Sequence, residues 1–137
     1  MREILFRAKA INRDPNREYR TNYKNGDWVY GLIERIYDER FPNIPSTMID
    51  QYGVSNIDVD YKTISAYTGL TDKNGKKIFE GDIIKDCLDE IGIIEYKPKR
   101  AAFVVKNWED GYILWTQDNI EVIGNIFENP ELLEESK

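Results

Sequence analysis

One stretch of the chain, residues 67–84, limits the possible folds because it is predicted to reverse the backbone twice. Between Asp72 and Lys76, the Asp72 side chain can accept a hydrogen bond from the backbone two residues on, and Gly75 adopts the left-handed region without strain. This segment therefore predicts a β-hairpin. The next residues, Glu80-Gly81-Asp82, break the run again, and the apolar pair Ile83-Ile84 predicts the start of a new strand.

The carboxyl-terminal half continues with short strands at regular spacing. They are predicted at Asp82–Lys85, Ile91–Lys97, Ala102–Lys106 and Gly111–Thr116, followed by a last strand at residues 119–127 that Gly124 interrupts with a bulge. Such spacing without intervening helices predicts a small SH3-like barrel. Beyond it, Asn129 is a predicted cap and Pro130 the first position of a short acidic helix or tail at Glu131–Glu135.

The amino-terminal half is also predicted to be rich in β-structure. Ile4, Phe6 and Ala8 alternate with Glu3, Leu5, Arg7 and Lys9, the pattern of a strand with one buried face. Residues 27–34 are rich in β-forming side chains and are expected to pair with this strand. Between residues 36 and 57 the signals conflict: Ile36–Phe41 is compatible with a short helical turn, but Pro42 and Pro45 stop any regular element from continuing. We predict one short strand in this segment, near Thr47–Tyr52.

The fold class is thus mainly β, with the SH3-like barrel in the carboxyl-terminal half, a β-rich amino-terminal portion and a short carboxyl-terminal helix. We predict three parts: residues 1–66 with a basic loop at 12–26, residues 67–129 with the hairpin and barrel, and an acidic tail at 130–137. At 137 residues the chain is also short enough for all three to form one compact unit.

The composition argues against most kinds of catalytic site. The chain has no histidine, which excludes Ser-His-Asp and Cys-His arrangements and imidazole metal sites. The one cysteine, Cys87, lacks an activating base and is predicted to be a structural or surface thiol. Residues 69–76 do not have the spacing of a phosphate loop, and Asp72 does not begin a calcium loop, since Ile83 falls where a glutamate is needed. We therefore expect a non-enzymatic protein without cofactor or metal.

One group of residues stands out as a candidate contact site. Residues 1–26 hold seven Lys and Arg against three acids, a net charge of +4, on a chain whose total is −6. The loop combines cations with aromatic rings, a pattern that can contact phosphates and stack on bases. Its candidate residues, for nucleic acid or for an acidic partner, are Arg13, Arg17, Tyr19, Arg20, Tyr23 and Lys24. A loop exposed to solvent, or docked against an acidic neighbouring subunit, is the more common outcome for such a segment and the favoured interpretation.

A second candidate site concerns self-association. Three tryptophans and nine tyrosines exceed what one small barrel is expected to bury, so part of this aromatic surface is predicted to form contacts. The basic loop and the acidic tail lie at opposite ends of the sequence, which allows head-to-tail pairing of copies. In such a contact Leu132 and Leu133 are the candidate apolar anchors.

Two blocks of sequence resemble the YopX family of phage and prophage proteins. The first comprises YTGL at residues 67–70, DKNGK at 72–76 and IFEGDI at 78–83, and the second is IEVIGNIFENPEL at 120–132. The amino-terminal half matches loosely, at residues 6–8 and 28–31, and its segment 36–57 is longer than in the family. The resemblance implies a β-rich fold and a phage or prophage setting, but no activity and no functional residues.

Together these features predict a phage or prophage accessory protein that acts through protein–protein contacts and self-association. Its expected partners are another copy of itself and a phage or host protein. A nucleic-acid-binding module that uses loop 12–26 is the alternative. No run approaches the roughly 18–20 apolar residues that a membrane span needs, so we expect a cytoplasmic protein of the bacterial host.

Overall fold

The computed structural model describes residues 3–12, 23–106 and 119–134. Within them lie ten strands and one short helix: β1 Phe6–Lys9, β2 Trp28–Arg35, β3 Ser46–Asp50, β4 Ile57–Val59, β5 Ser65–Thr71, β6 Lys77–Phe79, β7 Asp82–Lys85, β8 Ile91–Lys97, β9 Ala102–Lys106, β10 Glu121–Asn125 and α1 Glu131–Glu134. The strands pair antiparallel, which confirms the mainly β fold. The chain divides into an amino unit, Glu3–Ala66, and a carboxyl unit, Tyr67–Lys137.

The amino unit is built on a sheet in which the strands lie in the order β4-β3-β2-β1-β5. β1 pairs with β2 along its whole length, with Arg7 opposite Tyr30 and Lys9 opposite Trp28, which confirms the predicted pairing. At Gly31, β2 passes so close to β3 that an added Cβ would lie 1.9 Å from the Ile49 carbonyl oxygen. Only glycine fits at this point of the sheet.

The core of the amino unit lies inside a curl of this sheet. It consists of the buried side chains Ala8, Ala10, Val29, Met48, Ile57 and Val59. The residues just after β1 meet β4: the Ile11 N–H donates to the Asp58 carbonyl oxygen at 2.8 Å, and the Asp60 N–H donates to that of Lys9 at 2.9 Å. This contact encloses one face of the sheet and fixes the 3-10 helix Tyr61–Thr63 that follows β4.

The predicted alternation of buried and exposed side chains along the first strand is wrong at two places. The first is the start of the strand, and the second is Arg7, which was expected on the exposed face. Ile4 is 71% exposed and Leu5 is buried, because β1 begins only at Phe6 and the residues before it do not follow the pleat. Arg7 is buried as well. Its guanidinium carbon lies 4.5 Å from the centre of the Trp28 ring, and this cation–π contact stabilises the buried charge.

Residues 36–45 contain turns and no helix, so Ile36–Phe41 does not adopt the helical turn with which its sequence is compatible. The Phe41 N–H donates to the Asp38 carbonyl oxygen at 2.8 Å, and the Ile44 N–H donates to that of Phe41 at 3.1 Å. Pro42 and Pro45 lack backbone donors, so no helix can continue through them. The short strand predicted near Thr47–Tyr52 is confirmed as β3.

The carboxyl unit contains a sheet in the order β10-β7-β8-β9. The bounds of β7, β8 and β9 coincide with three of the predicted strands. One face of the sheet is buried against the β5–β6 hairpin, and the core there consists of Ile78, Ile84, Ile94, Val105 and Ile120. The predicted strand Gly111–Thr116 lies outside the described residues.

Both predicted chain reversals are confirmed. β5 and β6 form a hairpin with Tyr67 opposite Phe79, and Gly75 at its turn has a φ of 80°. Gly81, with a φ of 86°, makes the second reversal: its N–H donates to the Ile94 carbonyl oxygen at 2.8 Å. The described residues contain no closed barrel, so the SH3-like barrel stays a prediction.

The end of the described chain matches its prediction in part. The pairing of β10 with β7 shifts register between Val122 and Gly124, where a bulge was predicted. A Cβ at Gly124 would lie 2.6 Å from the Asn129 side-chain oxygen. That oxygen accepts a hydrogen bond from the Asn125 N–H at 3.2 Å, so Asn129 does not cap the helix as predicted. The helix α1 is a single turn.

No helix among the described residues is both long and apolar enough to cross a bilayer.

Candidate functional site

The structure describes two of the six residues of the predicted basic and aromatic site. Tyr23 and Lys24 lie at the end of the loop, whereas Arg13, Arg17, Tyr19 and Arg20 lie outside the described residues. Lys24 is exposed, and its backbone N–H donates to Asp27 Oδ2 at 2.9 Å. The grouping of these six residues into one site therefore stays a prediction.

Tyr23 has a structural role that the sequence did not predict. Its hydroxyl donates to Asp50 Oδ2 at 2.8 Å, while Asp50 Oδ1 accepts from the N–H groups of Tyr52 and Val54. Burial and the bond to Asp50 raise the pKa of Tyr23 to about 12. Burial alone would raise the pKa of Asp50, but the bonds from Tyr23 and the backbone lower it below its ordinary value. Tyr23 thus ties the end of the loop to the turn after β3.

The two candidate anchors for self-association, Leu132 and Leu133, both lie in α1. Their side chains are half-buried. The N–H of Leu132 donates to the Asn129 carbonyl oxygen, and that of Leu133 donates to the Pro130 carbonyl oxygen, both at 3.1 Å. Part of each leucine side chain is therefore available for a contact.

A surface groove in the amino unit brings together residues that the sequence analysis did not connect. It has a volume of about 280 Å³ and lies between the turns at residues 36–45 and the 3-10 helix Tyr61–Thr63. We call it the tyrosine groove and define it by Tyr37, Pro42, Ile44, Pro45, Asp60 and Tyr61, which are among its lining residues. Its walls are mainly rings and branched apolar side chains, the composition typical of peptide and ligand clefts.

The rings of Tyr37 and Tyr61 both line the groove. Their centroids are 4.6 Å apart and their planes differ by 11°, which is a stacked pair. The Tyr37 N–H donates to Ser46 Oγ at 2.7 Å, and this bond holds the residue against the start of β3. Within the described part of the chain, neither phenol hydroxyl has a hydrogen-bond partner. Both hydroxyls can therefore donate to a bound molecule.

The 3-10 helix that carries Tyr61 is held by two polar residues. Asp60 Oδ1 accepts from the Lys62 N–H at 3.0 Å. The Thr63 hydroxyl donates to the Asp60 carbonyl oxygen at 2.7 Å and accepts from the Lys9 N–H at 2.8 Å. These bonds fix the position of Tyr61 by linking its turn to β1. The groove is therefore built on the sheet.

The segment that forms one wall of the groove also exposes apolar side chains to solvent. Ile36 is 62% exposed, Phe41 54% and Ile44 42%, and across the groove Tyr61 is 44% exposed. We call these four side chains the apolar rim. Next to it, the Arg40 guanidinium pairs with Asp38 at 2.7 Å and holds the pKa of that carboxyl below its ordinary value. Burying the rim would remove apolar surface from water, which favours a contact here.

The described residues contain no group of three or more His, Cys, Asp or Glu side chains that could hold a metal ion. Cys87 is exposed, in keeping with the prediction of a surface thiol.

The sequence contains a signal for the groove. Pro42 and Pro45 end regular structure. Together with Tyr37, Phe41 and Ile44 they also form an apolar and aromatic cluster within a turn, where polar residues are the norm. The partner ring, Tyr61, comes from a separate segment, so the stack itself could not be predicted from local sequence.

Comparisons with known proteins agree with the described architecture. The family model described as YopX protein matches residues 11–134. Among solved structures, the chain is similar to the crystal structure of protein EF1440 from Enterococcus faecalis, with 26% sequence identity and a TM-score of 0.55. That match covers 97% of this chain and 99% of the other. A search of the curated proteins finds no match.

Proposed function

The chain belongs to the YopX family, and we propose that it is a non-enzymatic phage or prophage accessory protein that acts through protein–protein contacts and self-association. The observation that carries this proposal is the apolar rim beside the tyrosine groove. Ile44 and Tyr61 of the rim both line the groove, and exposed apolar surface beside a groove is a mark of a contact site. Aromatic residues are also enriched in such interfaces. The exposed thiol of Cys87 is compatible with the reducing cytoplasm of a bacterial host.

A surface variant tests the role of the apolar rim. Ile36→Ser, Phe41→Ser and Ile44→Ser together remove apolar area without touching the core, so the protein should remain folded. A matched control, Leu88→Ser with Tyr96→Ser, changes exposed apolar residues of the carboxyl unit. Affinity capture from phage-infected cells, with nuclease present, should recover a protein partner with the wild type and the control but not with the rim variant. Recovery of the same partner by all three proteins would overturn the proposal.

Self-association is tested by light scattering over a wide concentration range. We expect a mass above 16.1 kDa that depends on concentration, and a shift toward the monomer when Leu132 and Leu133 are both replaced by serine. Circular dichroism of this variant checks that the fold is retained. A strict monomer at high protein concentration would contradict self-association.

For the carboxyl unit we infer an SH3-like arrangement. The observed order β10-β7-β8-β9 is that of a meander whose last strand returns beside the first. The strand predicted at Gly111–Thr116, which belongs to the predicted barrel, lies outside the described residues. An experimental structure in which the β10-β7-β8-β9 sheet stays open would refute this inference.

Nucleic-acid binding through loop 12–26 is the second proposal, and the exposed Lys24 at the described end of the loop supports it. It predicts salt-sensitive binding of DNA or RNA that is lost when Arg17, Arg20 and Lys24 are replaced by alanine. A gel-shift assay measures this directly. Unchanged binding by the triple variant would exclude the loop as the contact site.

A further inference from the structure

We propose that the tyrosine groove binds an extended, proline-containing peptide segment that carries a basic residue. This inference rests on the proposed function, because it names the class of protein partner that the amino unit would contact. It is drawn from the rings, the hydroxyl groups, the size and the charge of the groove.

The rings and hydroxyls of the groove suit a polyproline II ligand. Such a segment has no internal hydrogen bonds, so its carbonyl groups need donors from outside. The Tyr37 and Tyr61 hydroxyls have no partner within the described residues and can supply them. Proline rings pack well against aromatic side chains. Because a polyproline II peptide is already extended before it binds, it loses little conformational entropy on binding.

The size of the groove indicates that its ligand is a segment of a peptide chain and not a whole cofactor. Its volume of about 280 Å³ lies just below the range of about 300–1,000 Å³ that is usual for sites that enclose small molecules. A polyproline II segment advances about 3.1 Å per residue and presents its side chains on three sides. A groove of this size therefore holds one or two ring side chains, while the rest of the peptide runs along the apolar rim.

The charges near the groove favour a cationic ligand. Residues 36–45 and 57–63, which border the groove, contain four acids, Asp38, Glu39, Asp58 and Asp60, and two cations, Arg40 and Lys62, a sequence net charge of −2. Of these six residues, Asp60 and Lys62 line the groove itself. Asp38 is already paired with Arg40. Asp60 lines the groove and uses one carboxylate oxygen to accept from the Lys62 N–H, so its other oxygen can accept from an Arg or Lys of the peptide. The same net charge repels a nucleic-acid backbone.

Titration of the full-length protein with synthetic probes tests this proposal. The probes are a nonapeptide of three Pro-Pro-Arg repeats, a nonapeptide of three Pro-Pro-Gln repeats, and a single-stranded oligothymidine. Binding is followed by the backbone amide shifts of the ¹⁵N-labelled protein. The Pro-Pro-Arg peptide should shift the amides of Tyr37, Ile44 and Tyr61, and it should bind more tightly than the Pro-Pro-Gln peptide.

Four variants then separate the parts of the argument. Tyr61→Ala should weaken binding of the Pro-Pro-Arg peptide by about tenfold or more, as expected for a central aromatic contact. Tyr61→Phe should weaken it by about twofold to fivefold through loss of the hydroxyl. Asp60→Asn keeps an oxygen for the Lys62 N–H and should remove the preference for the arginine peptide. Tyr52→Ala, a tyrosine that is 90% exposed and not a lining residue of this groove, should change nothing.

Each contrary result overturns a defined part of the inference. Absence of binding, or amide shifts located away from the groove, would refute the peptide site. Equal binding of both peptides would refute the requirement for a basic residue, and binding of oligothymidine alone would assign the groove to nucleic acid. If the peptides fail but the apolar-rim variant still loses its captured partner, the inference about the groove fails while the proposed function stands.

Discussion

The two units of the chain differ in how they use apolar side chains. Of the eleven large hydrophobic side chains that are exposed among the described residues, eight lie in the amino unit and three, Leu88, Tyr96 and Ile126, in the carboxyl unit. The core of the carboxyl unit contains Ile78, Ile84, Ile94, Val105 and Ile120. The difference supports the proposed contact through the apolar rim of the amino unit, whereas the proposed self-association through Leu132 and Leu133 concerns the carboxyl unit.

Each unit also contains a buried carboxylate that accepts hydrogen bonds from the backbone of a turn. The two carboxylates differ in how far along the sequence their hydrogen-bond partners lie. Asp50 accepts hydrogen bonds within its own turn and from Tyr23. Asp72 accepts from Asn74 and Lys76 at the hairpin turn, and its second oxygen accepts from the Val122 N–H at 3.0 Å. The second carboxylate therefore joins segments that are fifty positions apart, and its loss should be felt across the carboxyl unit.

The largest expected effect comes from the contrast between buried and exposed isoleucines. Ile84→Ala removes a fully buried side chain from the carboxyl core and should lower the free energy of unfolding by about 2–5 kcal/mol. Ile36→Ala in the apolar rim should change it by less than about 0.5 kcal/mol. Urea denaturation followed by circular dichroism measures both. Equal effects would mean that Ile36 contributes to the fold and that the contrast between the units is mistaken.

Asp72→Asn should have the next largest effect. The amide has one oxygen in place of two and no charge, so either the turn or the Val122 N–H loses a charged acceptor, at a cost of about 2 kcal/mol. Asp86→Asn is the matched control, because Asp86 accepts from the Leu88 and Glu90 N–H groups within one exposed turn. The control should cost clearly less in urea denaturation. A reversal of this order would contradict the long-range role of Asp72.

Acid should destabilise the fold through the same carboxylates. Burial alone would raise the pKa of Asp72, but the N–H groups of Val122, Lys76 and Asn74 lower it. A carboxyl whose pKa is lower in the folded state stabilises the protein above its unfolded pKa of about 3.9, and this contribution is lost as the pH falls through the folded pKa. Denaturation series between pH 6 and pH 2 should show this loss, and it should be smaller in Asp72→Asn. An identical pH profile for both proteins would contradict the assignment.

The smallest effect is expected for Tyr23→Phe, which removes one hydrogen bond to Asp50 at a cost of about 1 kcal/mol. Because the pKa of Tyr23 is raised to about 12, its contribution is present below the ordinary value of about 10 and is lost as the pH rises through the folded value. The variant should therefore lose less stability than the wild type between pH 10 and pH 12. Tyr52→Phe, at an exposed ring, is the control and should behave like the wild type.

Local chemistry explains which structural predictions were correct. β7, β8 and β9 begin and end where their β-forming runs meet turn residues, and the reversals at Gly75 and Gly81 follow from the positive φ that glycine tolerates. The face of β1 was predicted incorrectly because the contact of Arg7 with Trp28 depends on pairing between two strands. The same limit applies to Asn129, whose side chain binds the Asn125 N–H instead of the helix that follows.

Runs of neighbouring residues were enough to predict the mainly β fold, the double reversal at residues 67–84 and the family resemblance. Only the tertiary structure placed Tyr37 against Tyr61 and the Asp72 carboxylate beside the Val122 N–H. These contacts join residues 24 and 50 positions apart. Their geometry depends on strand register and on the curl of the sheet, which no local pattern encodes.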